Sequence, residues 1–359
     1  MTQITGNKGD WSEIYALFKL LGDGVMYAGD GDLNKIDDLF YPIISIVRKE
    51  QAEYRYSPDT ERNIVFISSN GDKLAEISMD KFLQEAEYLI DRIKQSKSRA
   101  FAIPGTETFM SVIGCSQLKA PHSDKSDIHI IIHDLRTGMK PELGFSIKSQ
   151  LGSNSTLLNA SRSTNVVYRL SGDLSDDDYV RINSISGQSE RMQQLKKMGI
   201  TLVFDHIEQE TFFNNLSFID FGLPSIVAEC LNVFFTEGIS DIKAITKIVA
   251  SRNPLKCTHG NIYNFYCHKI KQLLLDVALG MVPATLWDGR YDANGGYIVV
   301  RKDGEIVCFH FYNRNDVEDY LFNHTKLERA SRSRHDYGHI YKGGDNVCRM
   351  ALNLQIRFK

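Results

Sequence analysis

Residues 125–152 read KSDIHIIIHDLRTGMKPELGFSIKSQLG. Alternation in the first part sets Asp127, His129, Ile131 and His133 on one strand face and Ile128, Ile130 and Ile132 on the other. The second part alternates too, with Ser146, Lys148 and Gln150 against Phe145 and Ile147. A hairpin closed about Thr137-Gly138 places Asp127 opposite Lys148 and gathers Asp127, Ser146, Lys148 and Gln150 on one side. A loop longer than two residues shifts that register by a residue or two. A carboxylate beside a lysine suits hydrolysis of a phosphodiester. The carboxylate offers hard oxygens to Mg²⁺, which assists the ionisation of water. The lysine orients the attacking water and offsets developing negative charge. One carboxylate is thin for Mg²⁺, so a second acid is expected: Glu13 first, Glu142 otherwise. The same alternation also fits a half-exposed hairpin whose polar face meets water.

Glu13 lies on an expected helix over 10–21, where Trp11, Ile14, Tyr15, Phe18 and Leu21 follow helical spacing. Leu17 and Leu20 fall near Glu13, so the helix is apolar nearly all round and Glu13 is expected to be partly buried. A second amphipathic helix spans 81–95, with Phe82, Leu83, Ala86, Leu89, Ile90 and Ile93 on one stripe. Helical patterns return at 189–198, 224–236, 240–250 and 261–281, with Pro224 suiting a first turn and Pro254 a position past a helix end. Hairpins are expected at 296–312, turning at Asp303-Gly304, and at 337–358, around Gly343-Gly344. No internal repeat or Pro/Gly linker marks a boundary. The expected division is a core with helical additions over 1–290, holding the hairpin at 125–150, and a basic β-rich region over 291–359.

The chain has 359 residues, of which 42% are hydrophobic, enough for a sizeable core. Its formal charge of −3 carries no chain-wide signal for nucleic acid, so any such signal must be local. Six scattered cysteines without a CxxC pair fit a reducing cytoplasm rather than a disulfide scaffold. The first residues, MTQITGNKGDWSE, hold no apolar signal-like run, and no stretch reaches membrane-span length. A cytoplasmic protein with no membrane contact is expected. Cys257, His259, Cys267 and His268 match no common zinc spacing and read as packing residues. His129 and His133 read as sheet-surface histidines, and Asp176-Asp177-Asp178 as a solvated helix start.

Two local features suit nucleic acid. From Ser149 to Gly172 there is no Asp or Glu. Ser149, Asn154, Ser155, Thr156, Asn159, Ser161 and Arg162 offer hydroxyls, amides and a guanidinium that can meet phosphates or base edges. Residues 326–359 hold eight Lys/Arg against three Asp/Glu, with Arg332, Arg334 and His335 the sharpest candidates. An ordinary polar loop and a solvated charged face are the plainer alternatives.

The Asp127 and Ser146-Ile147-Lys148 pattern resembles the PD-(D/E)XK nuclease superfamily, with Lys125-Ser126-Asp127 at the first motif and Glu13, in GDWSEIY, as the helix acid. The stretches GNKGDWSEIYALFKLL, GFSIKSQLGSNSTLLNAS, SRHDYGHIYK and LNLQIRF resemble HpaII-type restriction endonucleases across most of the chain. That resemblance implies an α/β (α+β mixed) fold: a PD-(D/E)XK core of mixed sheet flanked by helices, with added helical and C-terminal β-hairpin elements. It implies a type II, Mg²⁺-dependent enzyme cutting double-stranded DNA at a short palindrome, CCGG. It implies Asp127 and Glu13 as metal ligands and Lys148, Ser146 and Gln150 as their catalytic companions. A cognate cytosine methyltransferase is the implied genetic partner. A palindromic target favours a two-fold homodimer, with monomeric action left open. Ser146 departs from the usual motif, which has an acid there. Some related nucleases recover that acid from a downstream Arg-x-acid, but here Arg162 is followed by Thr164. Two rival readings therefore stay open: a DNA-binding protein on a catalytically impaired nuclease scaffold, and a repair or junction nuclease.

Overall fold

The computed structural model describes residues 3–50, 52–119, 126–172, 174–258, 260–291 and 294–359. Lys125 of the first motif and His259 of the cysteine–histidine group lie outside them. The chain begins with α1 (Lys8–Asp23), β1 (Val25–Gly29), β2 (Lys35–Lys49), β3 (Glu53–Asp59), β4 (Ile64–Ser69), β5 (Asp72–Ser78), α2 (Met79–Gln95) and α3 (Pro104–Val112). Then come β6 (Ile128–Ile132), β7 (Glu142–Ser149), β8 (Thr156–Leu158) and, after a 3-10 turn at Arg162–Thr164, β9 (Asn165–Ser171). The middle holds α4 (Asp176–Ser184), α5 (Gln188–Lys197), β10 (Thr201–Ile207), α6 (Glu210–Ile219), α7 (Leu223–Glu237), α8 (Ile242–Arg252) and α9 (Ile262–Leu279). The chain closes with β11 (Gly296–Val300), β12 (Ile306–His310), α10 (Arg314–His324), β13 (Thr325–Leu327), α11 (Arg332–His335), β14 (Ile340–Lys342), β15 (Cys348–Asn353) and β16 (Ile356–Phe358). The fold is of the mixed α/β kind expected.

Two compact units result: Met1–Ser155 with Asp292–Tyr320, and Thr156–Tyr291 with Leu321–Lys359. This differs from a single cut at 290/291. The hairpin β11–β12 pairs into the first unit, and only the residues after α10 begins return to the second. The first unit holds a nine-stranded sheet in the order β1-β12-β11-β7-β6-β2-β3-β4-β5, with β1 also paired to β2. It is mixed: β1–β12 and β11–β7 run parallel, and the other pairs antiparallel. The long strand β2 meets β1 with its first half and β6 and β3 with its second.

Helix α1 is covered nearly all round. Trp11, Ile14, Leu17, Phe18 and Leu21 are all fully buried. It packs on α2, with Phe18 edge-on to Phe82 and Phe109 at 6.1 and 5.2 Å. Its start is fixed by a capping box: Asn7 Oδ1 accepts from Gly9 N and Asp10 N, and Asp10 Oδ2 accepts from Asn7 N. The even-numbered isoleucines of β6 are buried against this layer with Phe145.

In the second unit, β10-β9-β15-β14 form one sheet and β13-β16-β8 another. The C-terminal hairpin is β14–β15, pairing Ile340 with Met350. The last strand leaves it to pair with β13 and β8. None of the six cysteines forms a disulfide. No single described helix is long and apolar enough to cross a membrane.

Candidate active site

Helix α1 and strands β6, β7 and β11, all in the first unit, bring the site together. The loop between β6 and β7 is longer than a two-residue turn. The observed register therefore pairs Ile128 with Phe145 and sets Asp127 beside Ser146, not Lys148. The slip is two residues. An even slip preserves the strand face, so Asp127, Ser146 and Lys148 still share a side.

Asp127 Oδ2 accepts from Ile147 N at 2.6 Å and from Ser146 Oγ at 3.0 Å. Both bonds fall on one oxygen. Lys148 Nζ donates to the same Ser146 Oγ at 2.9 Å. Ser146 thus links the acid and the lysine instead of adding a third carboxylate. On the parallel neighbour β11, Tyr297 stands beside Ser146 and Val299 beside Lys148. The lysine ammonium lies 5.3 Å from the centre of the Tyr297 ring.

Glu13 arrives from α1. The preceding residue, Ser12, is fully buried and hydrogen-bonds Ser149 Oγ on β7 at 2.8 Å. That contact docks the helix turn carrying Glu13 against the strand carrying Lys148. Glu13 Oε2 is buried with no hydrogen-bond partner among the described residues. Burial first and the nearby Asp127 carboxylate second, against the pull of Lys119 and Arg48, raise the Glu13 pKa to about 8. Lys148 responds in the opposite sense. Burial lowers its pKa, while Asp127 and Glu13 oppose that shift. Lys119 is held by Asp10 Oδ1 at 2.7 Å, one turn before Glu13 on α1.

Two half-buried carboxyl groups, one with an orphaned buried oxygen, make a set of hard oxygen donors. Hard oxygens in that state fit a divalent cation of the magnesium type, which needs few protein ligands because water and substrate phosphate complete its shell. Among the described residues no cluster of three or more His, Cys, Asp or Glu offers a metal site. Glu142 is not the second acid. It pairs with Ile131, four residues along the strand from Ser146, or roughly 13 Å at the usual rise. Its oxygen instead lies 3.8 Å from His129 Nδ1.

Gln150 stands one residue past β7, and its amide oxygen accepts from Lys302 N at 3.3 Å. Ser149 spends its hydroxyl on Ser12 and on Leu151 N. Asn154 and Ser155 are partly exposed in the segment after β7. Sequence reasoning missed Tyr297, Ser12 and Lys119. Tyr297 comes from a strand far along the chain, Lys119 from the irregular segment before β6, and Ser12 looked like one more residue of an apolar helix.

In the second unit the two expected DNA-contacting segments meet. Arg162 lies 3.7 Å from Asp336, just after α11. Buried Asn165 donates to the carbonyls of His335 and Asp336 at 3.0 and 3.4 Å. Buried Asn353 donates to Ser161 O at 2.7 Å. Arg162, Arg332, Arg334 and His335 are thereby pinned to one region, with Asn159 exposed nearby in sequence and Thr156 paired on β8 with Arg357. Thr164 is buried as the cap partner of Ser161 and Asn353, which removes it from any metal chemistry. Most of the basic C-terminal charge is matched: Lys326 and Arg357 by Glu328, Arg349 by Asp205 and Asp345, Lys342 by Asp176 and Lys359 by Asp241. Arg332 and Arg334 have no acid partner among the described residues.

The family model described as HpaII restriction endonuclease matches residues 7–358. A curated relative, the type II restriction enzyme HpaII of Haemophilus parainfluenzae, is 44% identical over 361 residues, covering 100% of both chains. No solved structure matches this chain.

Proposed function

Because the chain belongs to the HpaII restriction endonuclease family, and is thus a type II restriction endonuclease acting on double-stranded DNA, we propose that it hydrolyses phosphodiester bonds with Mg²⁺ at the palindrome CCGG. Divalent-metal dependence is general to the class, and Mg²⁺ is our specific assignment. The observation that carries the assignment is Glu13 Oε2, buried without a partner beside Asp127 and Lys148.

Asp127 and Glu13 would hold the cation. When bound, it supplies Lewis-acid assistance to water ionisation and to charge building on the phosphoryl oxygens. Ile147 N and Ser146 Oγ fix Asp127 through Oδ2, so Oδ1 is the oxygen available for the metal. Glu13, its carboxyl pKa raised by burial, would have to be deprotonated to hold the cation. Lys148 spends one of its three donors on Ser146 and keeps two for the attacking water and a phosphoryl oxygen. Gln150, tied to Lys302, acts at the edge of this group. Hydrolysis would leave 5′-phosphate and 3′-hydroxyl ends.

A palindromic target favours a two-fold pair of chains. Protection of host sites would fall to a cognate cytosine methyltransferase, and DNA as substrate suits action in the cytoplasm. The reading as an impaired DNA-binding protein rested on Ser146, and Glu13 supplies the acid that Ser146 lacks. Digestion of unmethylated plasmid DNA with Mg²⁺, followed by end mapping, tests the proposal. Discrete fragments ending at CCGG are expected. Retention without cutting, or nicking only at junctions, would refute it.

A further inference from the structure

Within the second unit, the start of α5 faces the segment 329–338, and their meeting place is rich in donors and poor in acids. Arg191 is 2% exposed. Its terminal nitrogens donate to Gly338 O and to the carbonyls of Asn183 and Ile185, the latter two at 2.7 Å. Its Nε has no partner among the described residues, nor does one terminal nitrogen of Arg332. Both amide atoms of Gln188 are likewise buried and unmatched. Gly338, at φ +78°, leaves the room that the Gln188 amide fills; a Cβ there would stand 2.3 Å from Gln188 Oε1.

The charges are equally unbalanced. Burial first and repulsion from Arg332 second lower the Arg191 pKa to about 10. The acids nearby are engaged elsewhere. Asp336 faces Arg162, and Glu328 is bonded to Lys326 and Arg357. Glu190, on the same turn of α5, is exposed and forms no ion pair with either arginine. Buried donors without acceptors and paired cations without an anion are each unfavourable in a free protein. An oxyanion relieves both at once.

We propose that Arg332, backed by Arg191 and flanked by Gln188, receives one phosphate of the DNA backbone. The inference rests on the DNA-cleaving function above and adds a contact that positions the duplex without reading its sequence. The unmatched nitrogen of Arg332 breaks no hydrogen bond when the side chain swings to meet a phosphate.

The test is equilibrium binding of a CCGG duplex and a scrambled duplex, in EDTA, across a KCl series. Wild type, Arg332→Met, Arg332→Lys and Gln188→Ala are compared. Arg332→Met is expected to weaken both duplexes alike and to reduce the slope of log affinity against log salt by about 0.9, the value for one phosphate contact. Arg332→Lys keeps the slope, because an ammonium still meets a phosphate as a point charge. Gln188→Ala weakens both duplexes with little change in slope. The thermal midpoint of Arg332→Met is expected to stay level or rise, since nothing in the free protein holds that charge. An unchanged slope and affinity in Arg332→Met overturns the proposal. So does a loss confined to the CCGG duplex, which would mark a base contact. Failure of the wild type to cut CCGG would instead count against the function itself.

Discussion

At the scale of single residues, the unbalanced group is Glu13. Its carboxyl pKa is raised from 4.5 to about 8 by burial first and Asp127 second. Between those values the folded chain keeps a proton that the unfolded chain has released. Stability therefore falls as pH rises from about 4.5 to 8 in metal-free protein, and it is undiminished below that window. Glu13→Gln should flatten this fall. Its thermal midpoint should exceed wild type at pH 8 and converge with it near pH 4.5, as melting curves in EDTA would show. A parallel pH dependence in both proteins would contradict the assignment. Lys148 gives a second prediction. Burial already disfavours its charge, so Lys148→Met should cost little stability while slowing cleavage by about 10²- to 10³-fold, the usual loss of a preorganised charge-stabilising donor. Single-turnover rates beside melting curves check both halves. Glu13 was legible because the helix that carries it is apolar nearly all round. Ser146 as a link was not, since a hydroxyl at a motif position says nothing of which partner it will find.

At the scale of elements, close approach of backbones sets the site. Gly144 on β7 lies against Ser126, the residue before Asp127; a Cβ there would stand 2.1 Å from Ser126 Oγ. Gly144→Ala should push β6 and β7 apart at the end that carries Asp127. A stability loss of about 1–3 kcal/mol is expected from such overpacking. Cleavage should fall by about 10²-fold, because a displacement near 1 Å suffices for that. Urea unfolding and cleavage rates on the same preparation test it, and a variant matching wild type in both would show that the strands have slack. The helices at 8–23, 79–95, 223–237 and 262–279 follow the apolar periodicity closely. The strand register does not follow from alternation, which fixes a face but not the loop length. Strands β1 to β5 escaped notice altogether, because a half-covered antiparallel strand such as β4 or β5 carries a weak two-residue pattern.

At the scale of the molecule, the chain builds each unit from separated stretches, and this was the least legible feature. The pairing of β11 with β7 joins residues 151 positions apart, as in Tyr297 beside Ser146, and composition carries no trace of it. The basic C-terminal run was visible, but its neutralisation by Asp176, Asp205 and Asp241 was not, since those acids lie far away in sequence. If the target is a palindrome cut on both strands, two chains should bind each CCGG duplex. Sedimentation of the protein with that duplex in EDTA should show a 2:1 complex, and a complex that stays 1:1 with protein in excess would favour a monomer acting on each strand in turn. We propose that Glu13, Asp127 and Lys148 form the cutting centre. The most direct measurement is single-turnover cleavage of a CCGG duplex by Asp127→Asn in Mg²⁺, with duplex binding measured in parallel. Asparagine keeps an oxygen for Ile147 N but loses the charge. Binding is expected within a few-fold of wild type and cleavage lowered by about 10³-fold or more, as when metal-ion assistance worth several kcal/mol is removed. Cleavage at the wild-type rate by this variant would contradict it.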